Sequence, residues 1–294
     1  MRKKAVVIVN PMAGRGKGLV RAQKATLLLR EAGVDCLVFA TGRPGQARET
    51  AREQGGQSDV LVSIGGDGTL NEVINGLVDS GAETPVAIVP AGTANMVARE
   101  LGLPRDLASL IRPAVNGRLR RLDLGVAGAR RFILCGSAGF DASVIRDMAR
   151  KRSRRGLRLW KYVPLIFSEE MRYRFPFMRV RVDGVWVEER SSDTIIGNMA
   201  RYGAVFQIFQ DARPDDGLLD ICCLKGGTHG RLLRYIWAAY WGKLDRLEDV
   251  TYYRGREIVL EAGEAVPVQI DGESWGELPV TVAVHPQAVS VCLP

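Results

Sequence analysis

Four short stretches place small, flexible and hydroxyl-bearing residues where the chain changes direction: "NPMAGRGKG" (10–18), "ATGRPGQ" (40–46), "GGDGTLNE" (65–72) and "PAGTAN" (90–95). Glycine brings amide N–H groups close to an anion with no Cβ in the way. Each stretch leads toward a helical pattern, whose first amides are unpaired donors reinforced by the helix dipole. Thr41, Thr69 and Thr93 add hydroxyls, and Asp67 adds a carboxylate. One such stretch is an ordinary tight turn, whereas three glycine-rich ones at one sheet edge suit the phosphates of a nucleotide. Other carboxylates stand in "LDLG" (Asp123), "PDDG" (Asp215, Asp216) and "DGES" (Glu273). Local sequence also offers plainer readings of all of these. Glu273 follows an Asp-Gly hairpin turn, Asp123 beside arginines suits a surface salt bridge, Asp215 and Asp216 mark a turn, and Thr69 with Glu72 forms a capping box.

The elements that must position these residues fall into two kinds. "AVVIVN" (5–10), "CLVFA" (36–40), "VLVSI" (60–64) and "VAIVP" (86–90) are short apolar runs, which suit strands buried on both faces of a parallel sheet. Between them, Leu70, Val73, Ile74, Leu77 and Val78 recur at helical spacing, with the capping box predicting a helix start at Thr69. "ANMVAREL" stops at Gly102 and Pro104 as helices do. Strand-helix alternation of this kind predicts an open α/β sheet, which binds ligands at the C-terminal ends of its strands. After about residue 120 the pattern turns to alternating strands split by Asp183-Gly184 and Asp271-Gly272, the sign of antiparallel sheets. That half reads as a β-sandwich with a helical insertion at about 229–248, whose Trp237, Tyr240 and Trp241 are expected in the core.

The chain of 294 residues has room for two modest domains, and no apolar run approaches the roughly 20 residues of a spanning helix. Five cysteines without CxxC spacing read as core thiols in a reducing compartment, and only two histidines, His229 and His285, are present. A histidine metal centre is thereby disfavoured. The net charge of +8 concentrates at residues 146–161, with Arg150, Lys151, Arg152, Arg154 and Arg155 followed by Trp160. Such a run is either a solvated face or a contact with an anionic membrane surface, and the aromatic residues beside it favour the membrane. Nucleic acid is disfavoured because aromatic residues do not interleave with the cations. The standard phosphate motifs do not fit: Lys17 is followed by Gly18 rather than Ser or Thr, and "GGDGTLNE" lacks the third glycine of a dinucleotide fingerprint.

"GGDGTLNEVINGL" together with "PAGTANMVAREL" closely resembles the catalytic domain of the diacylglycerol kinase family, in a superfamily with sphingosine, ceramide and NAD kinases. The likeness continues through "VNPMAGRG", "LDLGV" (122–126), "GSAGFDASV" (136–144), "PDDGLLDI" (214–221), "VQIDGE" and "VCLP", and is nearest to the bacterial soluble lipid kinases. The resemblance implies a fold of α/β plus β. A phosphofructokinase-like nucleotide-binding domain spans 1–121 and a β-sandwich lipid-binding domain spans 122–294, with the active site in the cleft between them and the last residues able to return to the first domain. It implies transfer of a phosphoryl group from ATP, with Mg²⁺, to a hydroxyl of a lipid such as diacylglycerol.

Carried over by position, the resemblance assigns Asn10, Pro11, Met12, Ala13, Gly14, Thr41, Gly66, Asp67, Gly68, Thr69, Leu70, Asn71, Glu72 and Thr93 to the nucleotide. Asp67 organises Mg²⁺ and phosphate, Glu273 is the general base, and Asp123 supports the base or the metal. A structural Mg²⁺ is expected at Asp216 with the carbonyls of Arg213 and Leu218. The expected partners are a lipid substrate, an anionic membrane surface and a second copy in a homodimer, in the cytoplasm at the inner face of the membrane. Met96, Ala204 and Leu244 depart from the family pattern, and the last two bear on substrate choice. Two competing readings share the loops: a soluble small-molecule kinase of the NAD kinase type, and a non-catalytic nucleotide-gated membrane-binding protein.

Overall fold

The computed structural model describes residues 2–151, 173–203 and 206–294. The chain divides into two compact units, Met1–Leu124 with Pro286–Pro294, and Gly125–His285. In the first unit strands and helices alternate: β1 (Lys4–Val9), the single turn α1 (Ala13–Gly16), α2 (Gly18–Glu31), β2 (Asp35–Ala40), α3 (Gln46–Gln54), β3 (Val60–Gly65), α4 (Asp67–Ser80), β4 (Val86–Pro90), α5 (Met96–Glu100), α6 (Leu107–Asn116) and the start of β5 (Arg118–Ala127). The strand order is β2-β1-β3-β4, all parallel. The end of the last strand of the chain, β18 (Val280–Leu293), lies parallel to β4 with Val291 opposite Val86.

Period-two alternation divides the burden of burial in this sheet. Val7, Val9, Val62, Ile64 and Val89 join Ala25 and Leu29 of α2 and Leu110 and Ile111 of α6 in one apolar cluster. Helices α3 and α4 bury Ala47, Ala51, Val73, Ile74 and Leu77 in their turn. One expectation fails in this sheet. β2 is apolar in sequence, yet Leu37 and Val38 are exposed, because it is the edge strand and pairs only with β1.

The second unit continues with β6 (Arg130–Phe132), β7 (Cys135–Ala138), α7 (Phe140–Lys151), β8 (Met178–Val182), β9 (Val185–Ser191), β10 (Asp193–Gly197), β11 (Arg201–Tyr202), β12 (Phe206–Gln207), β13 (Leu219–Leu224), α8 (His229–Tyr240), β14 (Val250–Gly255), β15 (Glu257–Ala262), β16 (Pro267–Ile270) and β17 (Glu273–Glu277). One antiparallel sheet runs β14-β13-β10-β7-β16-β17. The other pairs β9, β8, β15 and the first residues of β18. Met178, Val180, Ile258, Leu260 and Val282 from this second sheet meet Ala138, Ile196, Ile221, Cys223 and Val268 from the first, and this shared interior makes the unit a β-sandwich. The predicted fold class, α/β plus β-sandwich, is the one observed.

The Asp183-Gly184 and Asp271-Gly272 turns both have two residues at positive φ, 47° and 84° in one and 46° and 78° in the other, the geometry that suits two-residue hairpins. Helix α8 overturns the second expectation. It buries Leu232, Tyr235, Ala238 and Ala239, while Trp237, Tyr240 and Trp241 lie on the solvent side. Of the basic segment, Arg152, Arg154, Arg155 and Trp160 lie outside the described residues, as does Ala204; Arg150 and Lys151 end α7. Leu244 is buried beside Tyr235 and Ala239 as a core residue. No helix among the described residues is long and apolar enough to cross a membrane.

Phe132 fills the sandwich where β5 and β6 pair: it is fully buried, and a Cβ on Gly125 would sit 2.0 Å from its ring. Replacing Phe132 with Ala leaves a void that close-packed strands cannot collapse into. Urea unfolding of Phe132→Ala is expected to show a loss of about 3–5 kcal/mol; a loss below about 1 kcal/mol would mean that the ring is not a core element.

Candidate functional site

In the first unit the loops after β1, β3 and β4 are held by side-chain hydrogen bonds. Asn10 accepts from the Met12 amide through Oδ1 at 3.0 Å and donates from Nδ2 to the Thr69 hydroxyl at 3.4 Å, tying the first loop to the third. Gly14 and Arg15 both take left-handed conformations in the first loop, with φ of 61° and 60°. Asn95, itself at φ 48°, accepts from the Gly92 amide at 2.7 Å and donates to the Gly92 carbonyl at 3.0 Å, which closes "PAGTAN" into a tight loop. The third and fourth loops touch through their backbones: a Cβ on Gly92 would lie 2.5 Å from Gly66 Cα. Arg21 of α2 donates to the Pro90 carbonyl at 2.6 Å.

Helix α4 begins at Asp67 with Gly66 as its extended N-cap, so it starts two residues before the expected Thr69. The capping box is therefore a misreading of real residues. Glu72 accepts from the amides of Gly45 at 2.9 Å and Ala47 at 3.1 Å, so it caps α3 instead of its own helix. Thr69 is buried in the first turn, against Gly65 and Asn10. Asp67 Oδ1 accepts from the Val97 amide at 3.1 Å, in the first turn of α5. A small pocket beside it is lined by Ser63, Gly65, Asp67, Leu70, Pro90 and Asn95. Of the expected nucleotide residues, Asn10, Gly66, Asp67 and Thr69 thus gather at one strand-end cluster. Pro11, Met12, Ala13 and Gly14 form the loop beside it, while Gly68, Leu70, Asn71 and Glu72 run along the start of α4. Thr41 turns its hydroxyl to the Val9 carbonyl at 3.4 Å, and Thr93 is exposed at the tip of its loop. The first amides of a 14-residue helix beside a carboxylate can receive a phosphate together with a cation, since the cation removes the repulsion between the two anions.

Asp123 belongs to the first unit and is fully buried, so the surface-salt-bridge reading fails. Its Oδ1 accepts from the amide of Gln287, a residue at φ 50°, at 2.7 Å.

In the second unit, Glu273 opens β17 directly after the Asp271-Gly272 turn and pairs with Arg130. The sequence marks Asp271 as a turn signal only, and in the structure its side chain fixes the turn. Asp271 accepts from the amides of Ile133, Leu134 and Cys135, each at 3.0 Å. Gln269 Oε1 accepts from Gly272 at 2.8 Å, and its Nε2 donates to Ser137 Oγ at 2.7 Å. Ser137 and Tyr202 in turn donate to Asp141. Asp193, which meets Gly139, lies beside Asp141 in the same buried network. Burial pushes both carboxyls above the ordinary range, Asp193 further because the Asp141 charge is its neighbour. Asp141 stands in "GSAGFDASV", a segment that carries the family resemblance, whereas nothing in the sequence singles out Asp193.

At the expected structural-metal position, Asp216 accepts from the Leu218 amide at 3.1 Å and pairs with Arg254, which also bonds Asp220 at 3.0 Å. Arg213 pairs with Asp215 at 3.5 Å. A divalent ion at Asp216 would compete with the Arg254 guanidinium. Among the described residues no cluster of three His, Cys, Asp or Glu side chains is arranged to hold a metal. The five cysteines are free thiols, and burial raises Cys223 to about 12 and Cys292 to about 11, leaving them protonated and inert.

Residues 4–127 match the diacylglycerol kinase catalytic domain, and residues 135–293 match the YegS C-terminal NAD kinase beta sandwich-like domain. The chain belongs to the diacylglycerol kinase family. It is 28% identical to the diacylglycerol kinase of Staphylococcus saprophyticus over all of this chain and 96% of that protein, and 26% identical to that of Staphylococcus carnosus over the same shares. A crystal structure of a diacylglycerol kinase from Bacillus anthracis superposes with a TM-score of 0.77 at 22% identity, covering 99% of this chain and 97% of that one, which shows the shared fold.

The buried carboxyl pair makes stability depend on pH with a definite sign. Folded pKa values above the unfolded ones mean that the native state holds protons the unfolded state has released. The unfolding free energy is therefore expected to fall as pH rises above the ordinary carboxylate range, about 4, and through the raised values of the pair. Asp193→Asn should flatten that decline in urea titrations. Parallel profiles for the two proteins would show that the pair does not carry a proton.

Proposed function

We propose that the chain is an ATP-dependent lipid kinase that transfers the γ-phosphoryl group to a hydroxyl of a diacylglycerol-like lipid. The observation that carries this reading is the set of glycine loops gathered at Asp67 and the start of α4, held in shape by Asn10 and Asn95, where the first amides of a helix beside a carboxylate suit a polyphosphate with a cation. The family membership, and relatives named diacylglycerol kinase along the full chain, support the lipid as acceptor.

Phosphoryl transfer asks little covalent chemistry of a protein; it asks for position and neutralisation of charge. In this reading the loop amides and the first turn of α4 hold the phosphates. Asp67 would hold Mg²⁺ against them, and that ion supplies charge neutralisation on the transferred group. Glu273 takes the proton of the lipid hydroxyl while the hydroxyl oxygen bonds to the γ-phosphorus. The bond to the bridging oxygen breaks with its electron pair leaving on ADP. Arg130 holds the Glu273 carboxylate in place, and the Asp271 turn fixes the strand end on which it stands. Asp123 is a positioning residue, because it is fully buried and bonded to backbone. Use of ATP puts the chain in the cytoplasm, and a lipid acceptor makes it a peripheral membrane protein, with the cations of 146–161 as one contact.

A second reading, a soluble acceptor of the NAD kinase type, is favoured by the NAD kinase-like description of the C-terminal domain. One assay separates the two. Labelled ATP and Mg²⁺ are supplied with lipids in mixed micelles, and separately with NAD, and both phases are counted. Label is expected in a lipid, with kcat about 10²–10⁴-fold lower in Glu273→Gln and ATP binding retained. Asp67→Asn should lose both rate and Mg²⁺ dependence. Label in NAD alone would replace the lipid reading, and wild-type turnover in Glu273→Gln would remove the base.

A further inference from the structure

Helix α8 carries an outer face that is exposed among the described residues. Leu233, Trp237, Tyr240 and Trp241 recur at helical spacing and are 53%, 67%, 59% and 57% exposed. The rings brace one another edge to face: Trp237 and Trp241 at 6.0 Å, Tyr240 and Trp241 at 5.6 Å. The opposite face is anchored by Leu232, Tyr235, Ala238 and Ala239, so the aromatic stripe stands on a fixed support. From His229 to Lys243 the charged side chains are Arg231, Arg234 and Lys243, with no acid. Arg231 pairs with Asp249 at 3.4 Å, while Arg234 and Lys243 have no ion-pair partner among the described residues. Asp245 and Glu248 are exposed beyond the helix. At the other end, exposed Phe177 lies against Gly227 just before α8, with the Arg190 guanidinium 4.4 Å over its ring.

We propose that the exposed face of α8 is an interfacial anchor that seats the chain on an anionic lipid bilayer. Tryptophan and tyrosine join an apolar ring to a polar edge, which suits the headgroup boundary, and cations beside them meet negative headgroups. Charge selects this occupant over a second copy of the chain: a symmetric pairing through this face would set Arg234 and Lys243 against like charges, with no acid on the face to relieve them. The proposal rests on the lipid-kinase reading for its purpose, since a kinase acting on a membrane lipid must hold to the surface. None of its residues belongs to the phosphate loops, and Leu232 and Ile236 of α8 share an apolar cluster with Val144 and Met148 of α7.

The test uses the full chain and vesicles of phosphatidylcholine, with and without phosphatidylglycerol. The wild type is expected to sediment with the anionic vesicles, with tryptophan emission shifted to shorter wavelength and binding reduced by salt. A W237S/Y240S/W241S variant, altered only at exposed positions, should bind about tenfold more weakly or less. Its urea midpoint and its activity on a short-chain diacylglycerol dissolved as monomers should stay as in the wild type. R234E/K243E should lose the preference for anionic vesicles, and R152E/R154E/R155E separately reports the basic segment. Unchanged vesicle binding in the α8 triple variant would overturn the proposal. So would its conversion from dimer to monomer in ultracentrifugation with vesicle binding intact, which would make the face a subunit interface. Phosphorylation of the monomeric lipid without wild-type vesicle binding would overturn the anchor and leave the kinase reading standing. Vesicle binding through α8 without lipid phosphorylation would do the reverse.

Discussion

A carboxylate or carboxamide that accepts hydrogen bonds from loop backbone is the interaction on which both units depend. Irregular loops have no ladder in which to pair their backbone groups, so side chains must fix their shape. Asn10, Asn95 and Glu72 do this in the first unit, and Asp67 reaches across to α5. In the second unit Asp271 gathers three consecutive amides, and Asp183 gathers those of Arg256 and Glu257 at 2.9 Å each. A carboxylate shared by several amides is worth more than a neutral hydrogen bond and fixes geometry better than apolar packing can. That combination suits a protein whose working surfaces are irregular backbone.

How much of this was legible in the sequence follows from the distance over which each signal acts. Strands β1, β3 and β4 show as uninterrupted apolar runs because both of their faces are covered, and the glycine loops show because turns demand local residue types. The start of α4 did not show. Glu72 lies three residues after Thr69 and satisfies a local rule, but its partners are the amides of Gly45 and Ala47, brought near only by the packing of α3 on α4. Asp123 beside arginines has the local look of a surface ion pair, and only the return of the chain at Gln287 buries it. β2 has the composition of its neighbours and differs by lying at the edge.

The same reasoning separates the readable from the hidden in the second unit. Alternation and Asp-Gly turns give the sandwich, because each is a two-residue pattern. The Asp141–Asp193 pair joins residues more than 50 positions apart, so no window on the sequence could hold it. Helix α8 is a different failure. Its apolar residues outnumber what one face can bury, and periodicity does not say on which side the surplus lies. Tyr235, Ala238 and Ala239 take the inner side, and the tryptophans are left with the outer one.

The contact between Gly66 and Gly92 has a consequence for how the glycine loops can move. With one backbone resting on the other and no side chain between them, the third and fourth loops are not two independent fingers. They form one stiff lip, tied at its base where the Ala91 amide meets the Gly65 carbonyl at 2.7 Å. A residue inserted into either loop would pry the other from its seat, so the lengths of both are locked together.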